Sequence, residues 1–124
     1  MDHIGAHHFE SSNTDYTIGI LQVTTSSDPK YFSLGLEIAS LGQGVEKASE
    51  YLKYYLKTMA RLVVLPMPTV AAINGHCTAG GGFFALVHDF TLATEGKALF
   101  FMNEIDLGLA FSEGMAKILK YVQN

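Results

Sequence analysis

Three segments of the chain carry residues whose types and spacing could do chemistry. The first is Asn74-Gly-His-Cys-Thr-Ala-Gly-Gly-Gly82. An apolar run leads into it and a helix-compatible run follows. Amides at a helix start lack intrahelical acceptors and face the positive end of the helix dipole. The absent side chains of Gly80, Gly81 and Gly82 let a ligand approach that backbone. The plain alternative is a tight turn that packs a helix closely on a sheet. A nucleotide P-loop needs Lys and then Ser or Thr after its glycines, whereas Phe83-Phe84 follows here. The spacing of a dinucleotide fingerprint is missing as well. The second segment, Tyr31-Phe-Ser-Leu-Gly-Leu-Glu-Ile38, offers another small-residue loop with free amides. The third is Phe100-Phe-Met-Asn-Glu-Ile-Asp-Leu-Gly108. Its Glu104 stands among apolar residues, and burial there would raise a carboxylate's pKa toward neutrality. The alternative is a solvated surface acid, like Asp106.

The elements that must position these segments follow from periodicity. Thr17 to Thr24 reads as a buried strand, Ser26 to Lys30 as a turn, and Tyr31 to Gly44 as irregular. Glu46 to Val63 is the clearest helix. Its stripe of Ala48, Tyr51, Leu52, Tyr55, Leu56, Met59, Leu62 and Val63 reads as core rather than as ligand contact. Lys53, Lys57 and Arg61 fall off that stripe, and Pro66 and Pro68 end the helix. Thr69 to Ile73 suits a strand buried on both faces, Asn74-Gly75 a turn, and Gly80 to Asp89 a helix. Phe90 to Thr94 and Ala98 to Met102 are further strands, split by Glu95-Gly96-Lys97. Ser112 caps a last helix carrying Met115, Ile118, Leu119 and Val122. Strand and helix alternate in this order, which predicts an α/β fold.

Composition narrows the function classes. The 124 residues are 48% hydrophobic and 16% charged, enough apolar material for a core. A net charge of −4 does not invite nucleic acid or an anionic membrane surface. Cys77 is the single cysteine, so no internal disulfide forms. No apolar run is long enough to span a bilayer. Met1 to Glu10 resembles neither a signal nor a transit peptide, and Tyr121 to Asn124 is not a peroxisomal Ser-Lys-Leu address. His3, His7 and His8 lack the Cys or carboxylate framework of a metal site, so no metal is expected.

Taken together and in order, the three segments resemble the crotonase superfamily, the enoyl-CoA hydratase/isomerase family. Phe32 to Ile38 is similar to its oxyanion loop, Pro68 to Asp89 to its glycine-rich signature, and Asn103 to Gly108 to its following glutamate segment. The match runs from about Ile18 to Gly108. The resemblance implies a spiral of ββα units, incomplete at both ends, with residues 1–16 as an extension and 17–124 as a partial domain. It implies an acyl-CoA thioester as substrate and no separate cofactor. It also implies assembly as a trimer or hexamer, and a soluble peroxisomal or mitochondrial setting in fatty-acid β-oxidation. The backbone amides of Leu36 and Gly81 carry over as the oxyanion pair. Ser33, Gly35, Gly80, Phe84 and Phe101 carry over as substrate-binding positions, with Phe111 as a further candidate for the acyl wall.

Hydratases of the family use two glutamates. The first position here is Phe84 and the second is Glu104, a pattern most like the Δ3,Δ2-enoyl-CoA isomerases. A hydratase-like enzyme and a non-catalytic subunit with this fold are the alternatives. Glu37 stands where the family usually has Asp, and family members are considerably longer. The missing parts predict exposed apolar faces and self-association.

Overall fold

The computed structural model describes residues 19–96, 98–103 and 112–122. Strand β1 spans Gln22–Thr24 and β2 spans Tyr31–Ser33. The short helix α1 is Ile38–Leu41, and the long helix α2 is Val45–Val63. Next come β3 at Thr69–Ile73, β4 at His76–Thr78 and α3 at Gly80–Leu86. Strands β5 at Phe90–Ala93 and β6 at Phe100–Phe101 lead to α4 at Glu113–Val122.

The strands sort into two three-stranded sheets, ordered β1-β3-β5 and β2-β4-β6. Every pairing is parallel. Each turn of chain therefore gives one strand to each sheet and then a helix, and three such ββα turns are described. Parallel neighbours need a long crossover, which α2 and α3 supply between successive turns.

Local chemistry fixes the corners. Asn74 ends β3, and its Nδ2 donates to the Ser26 and Asp28 carbonyls at 2.8 and 3.1 Å. A Cβ on Gly75 would lie 2.4 Å from the Lys30 carbonyl oxygen, so this corner closes only with glycine. The corner of the second turn is thus tied to that of the first. Asp89 does the same before β5. Its Oδ2 accepts from the Thr69 amide at 2.8 Å and the Thr69 hydroxyl at 2.9 Å.

The core is built from Ala71 and Ile73 of β3, Cys77 of β4, Phe83, Phe84 and Ala85 of α3, Val87, Phe32 and Met59. Burial pushes the Cys77 thiol up to about 11, so it packs as a small hydrophobe. The expected stripe of α2 splits in two. Met59 is 2% exposed and Leu56, Leu62 and Val63 pack against the core, whereas Leu52 is 40% exposed. Lys53, Lys57 and Arg61 are exposed, as their phase predicts.

Several boundaries differ from expectation. The first strand is only Gln22–Thr24, and α3 stops at Leu86 instead of Asp89. The segment read as irregular contains β2 and α1, and β4 occupies the loop expected between the Asn74 turn and the glycine helix. Ser112 does cap α4, its hydroxyl accepting from the Met115 amide at 3.2 Å. Apolar side chains stand exposed on the open edges, among them Phe90 and Leu92 of β5 and Phe100 of β6. The N-terminal histidines lie outside the described residues.

Candidate active site

The glycine helix starts from a strained corner. Ala79 takes φ +50° and ψ −131°, a conformation costing an L-residue about 1–3 kcal/mol. Its amide donates to the Phe101 carbonyl at 3.0 Å, and its own carbonyl accepts from Gly82 at 2.8 Å. This aims the first turn of α3, Gly80 to Gly82, at the loop after β2.

That loop meets it backbone to backbone. Gly35 has φ +92°, and a Cβ there would lie 2.7 Å from the Gly80 nitrogen and 3.1 Å from the Gly81 nitrogen. A Cβ on Gly80 would lie 3.4 Å from the Leu36 nitrogen. One on Gly81 would lie 2.4 Å from the Ser33 carbonyl oxygen. The Leu36 and Gly81 amides are therefore neighbours across a seam that side chains cannot enter. Neither amide has an acceptor among the described residues. Two free donors so placed can together hold one oxygen that gains negative charge.

A cavity of about 270 Å³ opens beside the seam. Ser33, Gly35, Leu36, Gly80 and Phe84 line it, so five of the expected positions meet at one space. Gly81 is buried and does not itself line the cavity. Phe101 does not reach this cavity; it lies on β6 and is 44% exposed. Glu104, Asp106 and Phe111 lie outside the described residues. The chain leading toward Glu104 is nonetheless anchored at the glycine helix. Besides the Phe101 carbonyl bond, a Cβ on Gly82 would come within 3.0 Å of the Met102 side chain.

The opposite wall of the cavity belongs to α2, through Tyr51, Tyr54, Tyr55, Thr58 and Met59. Reading the stripe as core overlooked this. The signal was available in Tyr51 and Tyr55, since a tyrosine on an inward face needs a partner for its hydroxyl.

Phe84 is the residue at the first of the two glutamate positions that the resemblance carries over. It is 8% exposed, stacks on Phe32 with centroids 6.1 Å apart and takes the His88 ring edge-on at 5.1 Å. His88 Nδ1 lies 2.9 Å from the Phe84 carbonyl, which can only accept, so Nδ1 carries the proton. Nε2 then accepts from the Thr24 hydroxyl at 3.0 Å. Burial holds the His88 pKa below its ordinary value and keeps the ring neutral. Both ring nitrogens are thus spent on structure, and the packing at position 84 offers no proton carrier.

Residues 6–121 match the model of the family described as enoyl-CoA hydratase/isomerase. The chain belongs to this family. Enoyl-CoA delta isomerase 3 of Arabidopsis thaliana is 36% identical over 104 residues, covering 81% of this chain and 43% of that protein. Enoyl-CoA delta isomerase 1, peroxisomal, of the same plant is 37% identical over 86 residues, covering 68% and 35%. Among solved structures, Pseudomonas aeruginosa DspI matches with a TM-score of 0.72 and 28% identity, covering 87% of this chain and 41% of its own. The fold is thus the mixed α/β crotonase-like spiral, present in part. The chain spans less than half the length of these relatives. No helix among the described residues is long and apolar enough to cross a membrane.

Proposed function

We propose that this chain carries the enolate-binding core of an enoyl-CoA isomerase, converting a 3-enoyl-CoA to its 2-trans isomer. The observation that supports the reading is the backbone contact of the Gly35–Leu36 loop with Gly80–Gly81 beside one cavity. The thioester oxygen sits between the Leu36 and Gly81 amides. Glu104 takes a proton from C2, and the C2–H electron pair moves into the thioester carbonyl to give a dienolate conjugated with the C3–C4 double bond. The oxygen's charge then returns through C2–C3, and C4 takes the same proton back. The double bond ends between C2 and C3, and the glutamate is regenerated as carboxylate. No cofactor is consumed, and coenzyme A enters only as part of the substrate.

Phe84 favours isomerisation over hydration. Adding water across the double bond ordinarily employs a second carboxylate, and a packed phenylalanine cannot supply one. Relatives named as peroxisomal and mitochondrial isomerases support a peroxisomal or mitochondrial setting, and the family resemblance of the sequence adds β-oxidation and a homo-oligomeric working form.

The test is to mix the purified chain with a 3-enoyl-CoA and identify the product. The conjugated 2-enoyl thioester is expected. Accumulation of the 3-hydroxyacyl thioester instead would transfer the assignment to a hydratase. Binding without turnover would leave a non-catalytic subunit of the same fold.

A further inference from the structure

We propose that Tyr55, seconded by Tyr51, is a positioning residue that sets the direction and strength of the oxyanion amides; this rests on the isomerase reading of the site. The two tyrosines are four residues apart on α2, so they share a face and rise one above the other. Each reaches a different half of the amide pair. The Tyr55 hydroxyl donates to the Gly80 carbonyl at 2.5 Å. The Tyr51 hydroxyl accepts a long hydrogen bond from the Glu37 amide at 3.4 Å.

The chemical connection at Tyr55 is direct. The Gly80 carbonyl and the Gly81 N–H belong to one planar peptide. Holding the carbonyl oxygen fixes the line along which the Gly81 N–H points on the other side. Donation into the carbonyl also draws electron density from the nitrogen, which strengthens the N–H as a donor. Glycine neighbours cannot do this themselves, because Gly80 and Gly81 have no side chains to resist rotation of that peptide. Tyr55 is held in turn by its own packing, its ring lying 6.0 Å from Phe83. On the other half, the Glu37 N–H lies one peptide beyond the Leu36 N–H. Tying it to α2 steadies a loop that begins at a left-handed glycine. The helix thereby spans the seam, with one hydroxyl on each side, and transmits a fixed spacing to two backbone segments far apart in sequence.

Tyr55→Phe keeps the ring and removes only the hydroxyl. It is expected to lower kcat about tenfold with KM changed less than about twofold, the order of loss for a small misplacement of a catalytic group. The carbonyl stretch of a bound acyl-CoA, labelled with 13C at the thioester carbon, should shift less than in the wild type. That reading reports polarisation of the carbonyl and is not moved by a loss of stability. Tyr51→Phe is the second variant and needs no buried group removed; about a threefold fall in kcat is expected there. If both variants keep the wild-type kcat and carbonyl frequency, the positioning role is overturned while the active site stands. If the wild type itself shows neither turnover nor a shifted carbonyl, the isomerase reading falls and this inference with it.

Discussion

Gly81→Ala is expected to lower turnover of a 3-enoyl-CoA by about 10²–10³-fold, the loss typical of removing one oxyanion donor. The cause is steric and acts at the seam itself. The new methyl group would lie 2.4 Å from the Ser33 carbonyl oxygen, 2.7 Å from the Ser33 hydroxyl and 2.8 Å from the Ser33 carbonyl carbon. Two of these atoms are backbone, so no side-chain rotation relieves the contact. Either α3 or the end of β2 must move, and Ser33 is only three residues before Leu36. The two amides separate in both cases. Overpacking of this kind also destabilises the fold by about 1–3 kcal/mol. Turnover should therefore be measured on the folded fraction, with urea unfolding recorded beside it. Wild-type turnover in a folded Gly81→Ala chain is incompatible with an amide pair at this seam.

Glu104→Gln is expected to lower turnover by about 10²–10⁴-fold, the range for loss of a general base. The amide keeps the shape and the hydrogen-bonding reach of the carboxylate but cannot accept the C2 proton. Affinity for the acyl-CoA should stay near the wild-type value, because the Leu36 and Gly81 donors are untouched. No second carboxylate stands ready at position 84, where Phe84 is locked between Phe32 and His88. Equal turnover in the wild type and the Gln variant would remove Glu104 from the reaction.

The parts of the molecule legible in the sequence are those with their own periodicity or boundary. Helix α2 declares itself over five turns and ends at two prolines. Strand β3 is a short apolar run between Pro68 and Asn74, and its residues are buried on both faces except for a half-buried Ala72. Strands β2 and β4 are three residues each, too short to display alternation. They exist because a parallel partner receives them, Tyr31 opposite His76 and Ser33 opposite Cys77. Helix α3 ends early because His88 turns back to the Phe84 carbonyl and to Thr24, 64 residues away.

The site shows the same division. Gly35 and the glycine run mark themselves as places where backbone must be approached closely. Their contact with each other is tertiary, and only the fold brings residues 35 and 80 together. The tyrosines of α2 share their spacing with a core stripe. Which of them pack and which face the cavity depends on how α2 is rotated over the seam. Glu37, where the resemblance leads one to expect Asp, finds a local partner, its Oε2 accepting from the Ser40 hydroxyl at 2.6 Å.

The most direct measurement follows the Leu36 and Gly81 amides themselves. A 15N-labelled chain is titrated with a non-reactive saturated acyl-CoA, and the two amide resonances are tracked. Both are expected to move downfield together, with one shared midpoint, as each N–H gains the thioester oxygen as acceptor. Saturable binding that leaves both resonances in place would contradict the account.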